Sequence, residues 1–392
     1  MKNKNKKLLT YISFLSYAFM GALISVTGLV IQNISHQFKI PITNASNIFN
    51  FLNIGILISI FFNSWLIKIF SLKKQIFFGF ILMILATTTS IILKNINMFC
   101  FSIFLFGLIS GTTLSIGTFL ITNLYKKKER IKKMLLTDSF FSISGFVFPT
   151  INVFFITYKI QWNYIYILIS LIYFIIFLIS NQIKYPKILK KEKKKKNYDN
   201  KYLDINVILL YFSALIYILG QLGFISWIPE NSIKNMNITI EKSSTIISSF
   251  WINYMIGMWF FSYIIKFFNL KKIILFLSSI STIIMFLFIQ NKNYYLSLFL
   301  ISLLGFFSSS IYSMIITLSS LQTKKPSQKI INFTLFSGTI GTMLNFLITS
   351  PIVRLKGVKY SLFFSNILYL IVFFIFLILF YKKKIINKLH KK

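Results

Sequence analysis

A single cysteine, two histidines and seven acidic residues in a chain of 392 leave little from which to build metal or redox chemistry. Cys100 stands alone, which excludes an internal disulfide and any cysteine-based metal cluster. His36 and His390 both fall in predicted loops, and no zinc or haem constellation can be assembled from that inventory. No metal and no cofactor is therefore expected. There is no phosphate-cradling glycine-rich loop, which argues against ATP hydrolysis by this chain. Paired acid, base or metal groups at depth are also missing, so the chain does not read as an enzyme. Arginine is scarce as well: of 43 basic residues only Arg130 and Arg354 are Arg.

What the chain does have is apolar surface. Hydrophobic residues make up 56% of it, with 46 Phe, against about 45–50% in soluble domains. This is the composition of an integral membrane protein. A net charge of +36 would suit nucleic-acid binding, but the lysines sit between apolar spans and not along one helical face, so no nucleic-acid partner is expected. The longest polar run, 183–204 (IKYPKILKKEKKKKNYDNKYLD), carries nine lysines and divides the chain into 1–182 and 205–392. It reads as a solvated connector. Residues 1–8 followed by an apolar run resemble a signal peptide, but the run continues to Ile31 and is retained as a helix.

Apolar stretches of about 20 residues, long enough to cross the hydrocarbon core, fall near 9–31, 47–67, 75–93, 98–124, 134–157 and 162–181. After the connector come 205–228, 243–265, 273–289, 294–320, 330–353 and 360–381. The expectation is an all-α membrane protein of twelve transmembrane helices in two pseudo-symmetric six-helix bundles. Runs such as 367–380 do not alternate as barrel strands would. With the amino terminus inside, 34 of the 43 basic residues lie on the inner side, which places both termini in the cytoplasm. No basic residue is then expected deep in the membrane, and Trp162 and Trp227 fall at the outer interface.

The halves match each other. A shift of 198 residues pairs Ile40 with Ile238, Ser46 with Ser244, Lys68 with Lys266, Lys73 with Lys271 and Lys74 with Lys272. The same shift pairs Gly107 with Gly305, Ser110 with Ser308 and Ser115 with Ser313. An even number of helices between copies gives a parallel repeat.

The phrases KIFSLKK (68–74) and KFFNLKK (266–272) occupy the loop after the second helix of each half. Members of the major facilitator superfamily carry a basic Gly- and Asp-containing motif there, and the repeat and helix count resemble that superfamily. Ile67 stands about where the motif's Asp would be, and its Gly is missing. The segments FLNIGILISIFFNSWL (51–66), SIGTFLITNLY (115–125), TDSFFS (137–142), GQLGFISWIPE (220–230), GFFSSSIYSMIITL (305–318) and GTIGTMLNF (338–346) are similar to the TsgA-type transporters of that superfamily. The resemblance spans nearly the whole chain. It implies the major facilitator fold in the bacterial inner membrane, with the first, second, fourth and fifth helices of each half lining a cavity. It names no substrate.

Polar side chains within apolar spans are costly and mark candidate sites. The cavity candidates are Tyr17, Asn50, Asn53, Thr113, Tyr217, Gln221, Asn253, Tyr254, Tyr312 and Asn345. The same amides and hydroxyls would equally serve to bridge helices, at about 0.6 kcal/mol each. Among the acids only Asp138 enters a span, at the predicted start of the fifth helix. There it is either a structural charge held by the helix dipole and by Lys132 or Lys133 nearby or a proton-coupling or gating group. The reading is a monomeric secondary transporter working in the lipid bilayer on a small, neutral polar solute, with or without a coupling ion. The alternative is a membrane sensor or scaffold that keeps the transporter fold.

Overall fold

The computed structural model describes residues 3–40, 45, 47–92, 95–183, 185, 204–265, 267–323 and 327–389. Most of the basic connector lies outside these residues, as do Lys94, Lys266, Lys324, Lys325 and His390. The described residues form helices and no strand. Among the described residues six α-helices precede the connector: α1 (Asn3–Phe38), α2 (Phe49–Ile69), α3 (Leu72–Ile92), α4 (Ile96–Leu124), α5 (Lys127–Thr157) and α6 (Ile165–Gln182). After it come α7 (Ile205–Met236), α8 (Ile240–Ile264), α9 (Leu270–Gln290), α10 (Tyr294–Ser308), α11 (Ile311–Ser320), α12 (Gln328–Lys356) and α13 (Val358–Leu389). Helices α10 and α11 together make one span, Tyr294–Ser320, and ten stretches among the described residues are long and apolar enough to cross a membrane. The spans expected at 134–157 and 243–265 are not among these ten, but both are helical, as α5 and α8.

Several boundaries differ from the sequence reading. Helix α1 runs through His36, which lies in its last turn and not in a loop. Helix α7 continues through Pro229 and stops at Asn237, whose left-handed backbone (φ 53°) ends it. The stretch 126–133, which lies between the spans expected at 98–124 and 134–157, is mostly the first turns of α5. Arg130 within it is only 7% exposed, and its Nη1 donates to the Ser320 carbonyl (3.3 Å) and hydroxyl (3.1 Å).

The repeat is written in the contacts as well as in the letters. Asn95 and Asn293, 198 residues apart, both cap the following helix, accepting from the backbone N–H of Asn97 and Leu296. Lys73 donates to the Asn181 carbonyl (3.3 Å) and Lys271 to the Leu379 carbonyl (3.2 Å), each at the same offset. A Cβ on Gly107 would sit 2.2 Å from the Leu52 carbonyl oxygen, and one on Gly305 would sit 2.4 Å from that of Phe250. Backbone-to-backbone packing of α2 on α4 is thus reproduced by α8 on α10.

One further pair is exchanged. Gly111 faces Ser59, and at their repeat positions Ser309 faces Gly257, so each interface has room for one hydroxyl. A serine at 111 alone would drive its Cβ to 2.1 Å from Ser59 Oγ and 2.6 Å from the Ile56 carbonyl oxygen, a clash costing about 1–3 kcal/mol. Adding Ser59→Gly to Gly111→Ser removes the first of these contacts and is expected to recover part of the stability lost by Gly111→Ser, read as melting temperature in detergent. Additive losses would show that the two positions do not share one space.

The chain divides into two compact units. Unit 1 comprises Met1–Lys126, Leu136–Asp199 and Lys325–Phe336; unit 2 comprises Lys127–Leu135, Asn200–Lys324 and Ser337–Lys392. The short exchanged segments begin at 127 and 325, again 198 apart, and belong to the starts of α5 and α12. Inside unit 1 the second of them creates a buried knot. The Ser115 hydroxyl donates to Asn332 Oδ1, Gln328 Nε2 donates to Ser115 Oγ (3.1 Å), and Asn332 Nδ2 donates to the Ile60 carbonyl (3.2 Å).

Candidate functional site

Unit 2 builds its site on a broken helix. The run Ser308, Ser309, Ser310 interrupts the tenth span, and Ser309 turns its hydroxyl back onto the Phe306 carbonyl at 2.8 Å. Serine hydroxyls that compete for backbone carbonyls are a recognised cause of bends. The carbonyl of Ser308, at the break, accepts the Tyr217 hydroxyl at 2.7 Å. Expected as one helix over 294–320, the span is therefore two, with a tyrosine of α7 bound at the joint.

Around that joint the aromatic rings are ordered. Tyr312 lies nearly parallel to Tyr217 (10°, centroids 6.4 Å apart), and Tyr369 of α13 packs against its other side at 5.2 Å. The hydroxyls of Tyr254 and Tyr369 also interact with that of Tyr217. Gln221, one turn further along α7, is 5% exposed, and its Nε2 is buried without a hydrogen-bond partner among the described residues. Asn345 of α12 is 3% exposed and bridges to α7, donating from Nδ2 to Ser226 Oγ at 3.0 Å. Of the sequence candidates, then, Tyr217, Tyr254 and Tyr312 come together, with Gln221 a turn away and Asn345 on the facing helix.

Other candidates are placed differently. In unit 1 Tyr17 is buried and shares a 2.8 Å hydrogen bond with Thr118 Oγ1, tying α1 to α4. Thr113 is buried with its hydroxyl donated to the Ile109 carbonyl of its own helix. Asn253 likewise donates to its own helix, at Ser249 (2.8 Å). Asn53 is half-buried, and Asn50 is exposed on α2. Sequence reasoning missed Tyr369, whose single hydroxyl in the apolar run 367–380 was the available signal. It also missed Asn332 and Gln328, for which no local pattern exists.

Asp138 sits where the sequence did not put it. Because α5 begins at Lys127, this carboxyl is the twelfth residue of the helix, about three turns from the amino terminus and beyond the reach of the helix dipole. It is 8% exposed and is the buried acid among the described residues. Helix α5 is pressed onto α1 beside it: Phe140 stacks on Phe14 at 4.6 Å, and a Cβ on Gly21 would lie 2.3 Å from the Phe141 carbonyl oxygen.

Apolar helices with exposed Phe, Ile and Trp outside and Tyr, Gln, Asn and Asp inside define a multi-pass integral membrane protein. The Major Facilitator Superfamily profile matches residues 13–229. Over 384 residues, 98% of this chain, it is 52% identical to the protein TsgA homolog of Buchnera aphidicola subsp. Schizaphis graminum, 99% of which is covered. It is 46% identical to that of Yersinia pseudotuberculosis over 97% of this chain and 96% of the relative. The chain belongs to the Major Facilitator Superfamily, among its TsgA homologs. Among solved structures, the Escherichia coli fucose:proton symporter FucP superposes with a TM-score of 0.78 at 15% identity, covering 95% of this chain and 97% of the symporter. The proton:xylose symporter XylE bound to 6-bromo-6-deoxy-D-glucose gives 0.76 at 11% identity, with 95% of each chain covered. These likenesses are of fold.

Proposed function

We propose that this protein is a secondary transporter that moves a small neutral, hydroxyl-bearing solute across the bacterial inner membrane by alternating access, as a monomer with both termini in the cytoplasm. In this reading residues 1–182 and 205–392 are the two moving halves and 183–204 is the connector. The observation that carries it is the polar cluster at the broken tenth span. Discontinuous helices in transporters free backbone and side-chain groups for a ligand, and here Gln221 keeps a buried donor unpaired beside a ring of tyrosines. Tyr, Gln and Asn offer hydrogen bonds without charge, which suits hydroxyls. Fucose and xylose, the sugars for which the symporters FucP and XylE are named, are of that chemistry. Asp138 is the coupling candidate.

The test begins with a thermal-shift screen of the purified protein against neutral sugars and polyols, since a ligand of the folded state raises its melting temperature. A compound that stabilises the protein is then offered to proteoliposomes containing only this chain. Saturable flux absent from empty liposomes is the expected result. Binding with no flux in either direction would identify a sensor or scaffold and remove the transport reading.

A further inference from the structure

Two helices change units along their length. Helix α5 has its first turns in unit 2, to Leu135, and the rest in unit 1; α12 has its first turns in unit 1, to Phe336, and the rest in unit 2. The duplication brings matching positions into the two exchanged segments: Arg130 and Gln328 are 198 residues apart, as are Met134 and Asn332.

The two segments dock by different chemistry. In unit 1 the docking is by amides. Asn332 is 1% exposed; its Oδ1 accepts from Ser115 Oγ of α4 and from Gln328 Nε2 (3.2 Å), and its Nδ2 donates to the Ile60 carbonyl of α2 (3.2 Å). Phe333 and Phe336 pack on Phe61 of α2, with centroids 6.1 and 5.4 Å away. In unit 2 the segment contributes Ile131 and Leu135 to the apolar core, and Arg130 donates to Ser320, the last residue of α11, at the negative end of that helix. Both dockings carry a cost that release would relieve. Gln328 Oε1 is buried and accepts from nothing among the described residues, an atom that water would satisfy. The buried Arg130 guanidinium would regain its hydration. Neutral hydrogen bonds gain little net over those that water returns, so contacts of this kind hold a segment and still let it go.

We propose that the two exchanged segments are coupled latches: release of 325–336 from unit 1 accompanies release of 127–135 from unit 2. The coupling follows from the chain, because α5 and α12 each run from one unit into the other, and a movement of the units as bodies pulls on both dockings. The proposal rests on the alternating-access reading, which supplies that movement, and it names the contacts the movement breaks: Asn332 with Ser115 and Ile60, and Arg130 with Ser320.

Hydrogen–deuterium exchange of the full-length protein in detergent, read by mass spectrometry, measures the opening of each segment without solute or flux. Asn332→Leu strands the Ile60 carbonyl and should raise exchange over 325–336 about 5- to 150-fold. The discriminating segment is 127–135, which belongs to the other unit; exchange there should rise at least about fivefold as well. Arg130→Met should act in the reverse direction and raise exchange over 325–336, since coupling is reciprocal. Ser115→Ala removes one hydroxyl and should give the same pattern at smaller size, which keeps the test open if Asn332→Leu does not fold. Asn63→Leu is the control: Asn63 is a buried amide of α2 that donates to the Thr112 carbonyl (3.1 Å), outside both segments, and its loss should leave exchange over both unchanged. Exchange that rises only in the segment whose contacts were removed would overturn the proposal, and so would an equal rise of both segments in Asn63→Leu. Coupled exchange in a protein that shows no flux would uphold the latches and remove the transport reading; flux with uncoupled segments would do the opposite.

Discussion

Replacing Asp138 with Asn is expected to leave solute exchange intact and to abolish accumulation driven by a pH gradient. The side chain is buried three turns inside α5, so the helix amino terminus does not account for a carboxyl at this place. At the offset of 198 its repeat position is Phe336, next to the buried Leu335, and no acid stands there, so the group is not required by the duplicated packing. Asn keeps the shape and the hydrogen-bonding reach but cannot take up and release a proton. One pH unit is about 1.4 kcal/mol, which with one proton per solute supports about tenfold accumulation. In proteoliposomes the native protein should approach that ratio. The Asp138→Asn protein should reach a ratio near one while still exchanging labelled for unlabelled solute. Dependence on the gradient that is unchanged by the substitution would dismiss Asp138 as the coupling group.

The placement of Asp138 also illustrates what could be read in the sequence. Apolar runs and the positions of lysines gave the number and order of the helices, because crossing hydrocarbon demands about 20 apolar residues wherever it happens. Helix ends were less legible. The run 126–133 is rich in Lys, Glu and Arg, good helix formers with no breaker among them, so α5 starts well before its apolar part. Charge signalled solvent there, yet Arg130 is buried against Ser320. The span read as 205–228 continues through Pro229 as α7 and ends at the left-handed Asn237.

The break in the tenth span was hidden for another reason. Serines are small and common in membrane helices, and with Ser308 to Ser310 inside it Tyr294–Ser320 is still apolar enough to read as one span. Only the geometry shows Tyr217 taking the exposed carbonyl. Long-range partners such as Ser115 and Asn332, separated by 217 positions, have no local signature at all. The repeat was legible as identities at one offset. Its most informative contact was not, since Ser59 with Gly111 against Gly257 with Ser309 counts as two mismatches in an alignment while preserving one volume.

The same cluster gives the second large effect, because it separates a side chain kept for binding from one kept for stability. Gln221 holds a buried Nε2 that bonds to nothing among the described residues, a condition that costs about 1–3 kcal/mol. Gln221→Leu removes that donor in nearly the same volume, so the melting temperature should stay level or rise. Affinity for a hydroxyl-bearing solute should fall about 5- to 150-fold, the worth of one hydrogen bond made from a buried site. Tyr217→Phe is the counterpart. It strands the Ser308 carbonyl at the broken helix, and stability should drop by about 1–3 kcal/mol whether or not solute is present. Binding calorimetry with the ligand found in the thermal-shift screen, alongside melting of both variants, reads the two effects apart. If Gln221→Leu melts lower than the native protein and binds solute as well as it does, Gln221 is a packing residue, and the cluster loses its claim to be where solute is held.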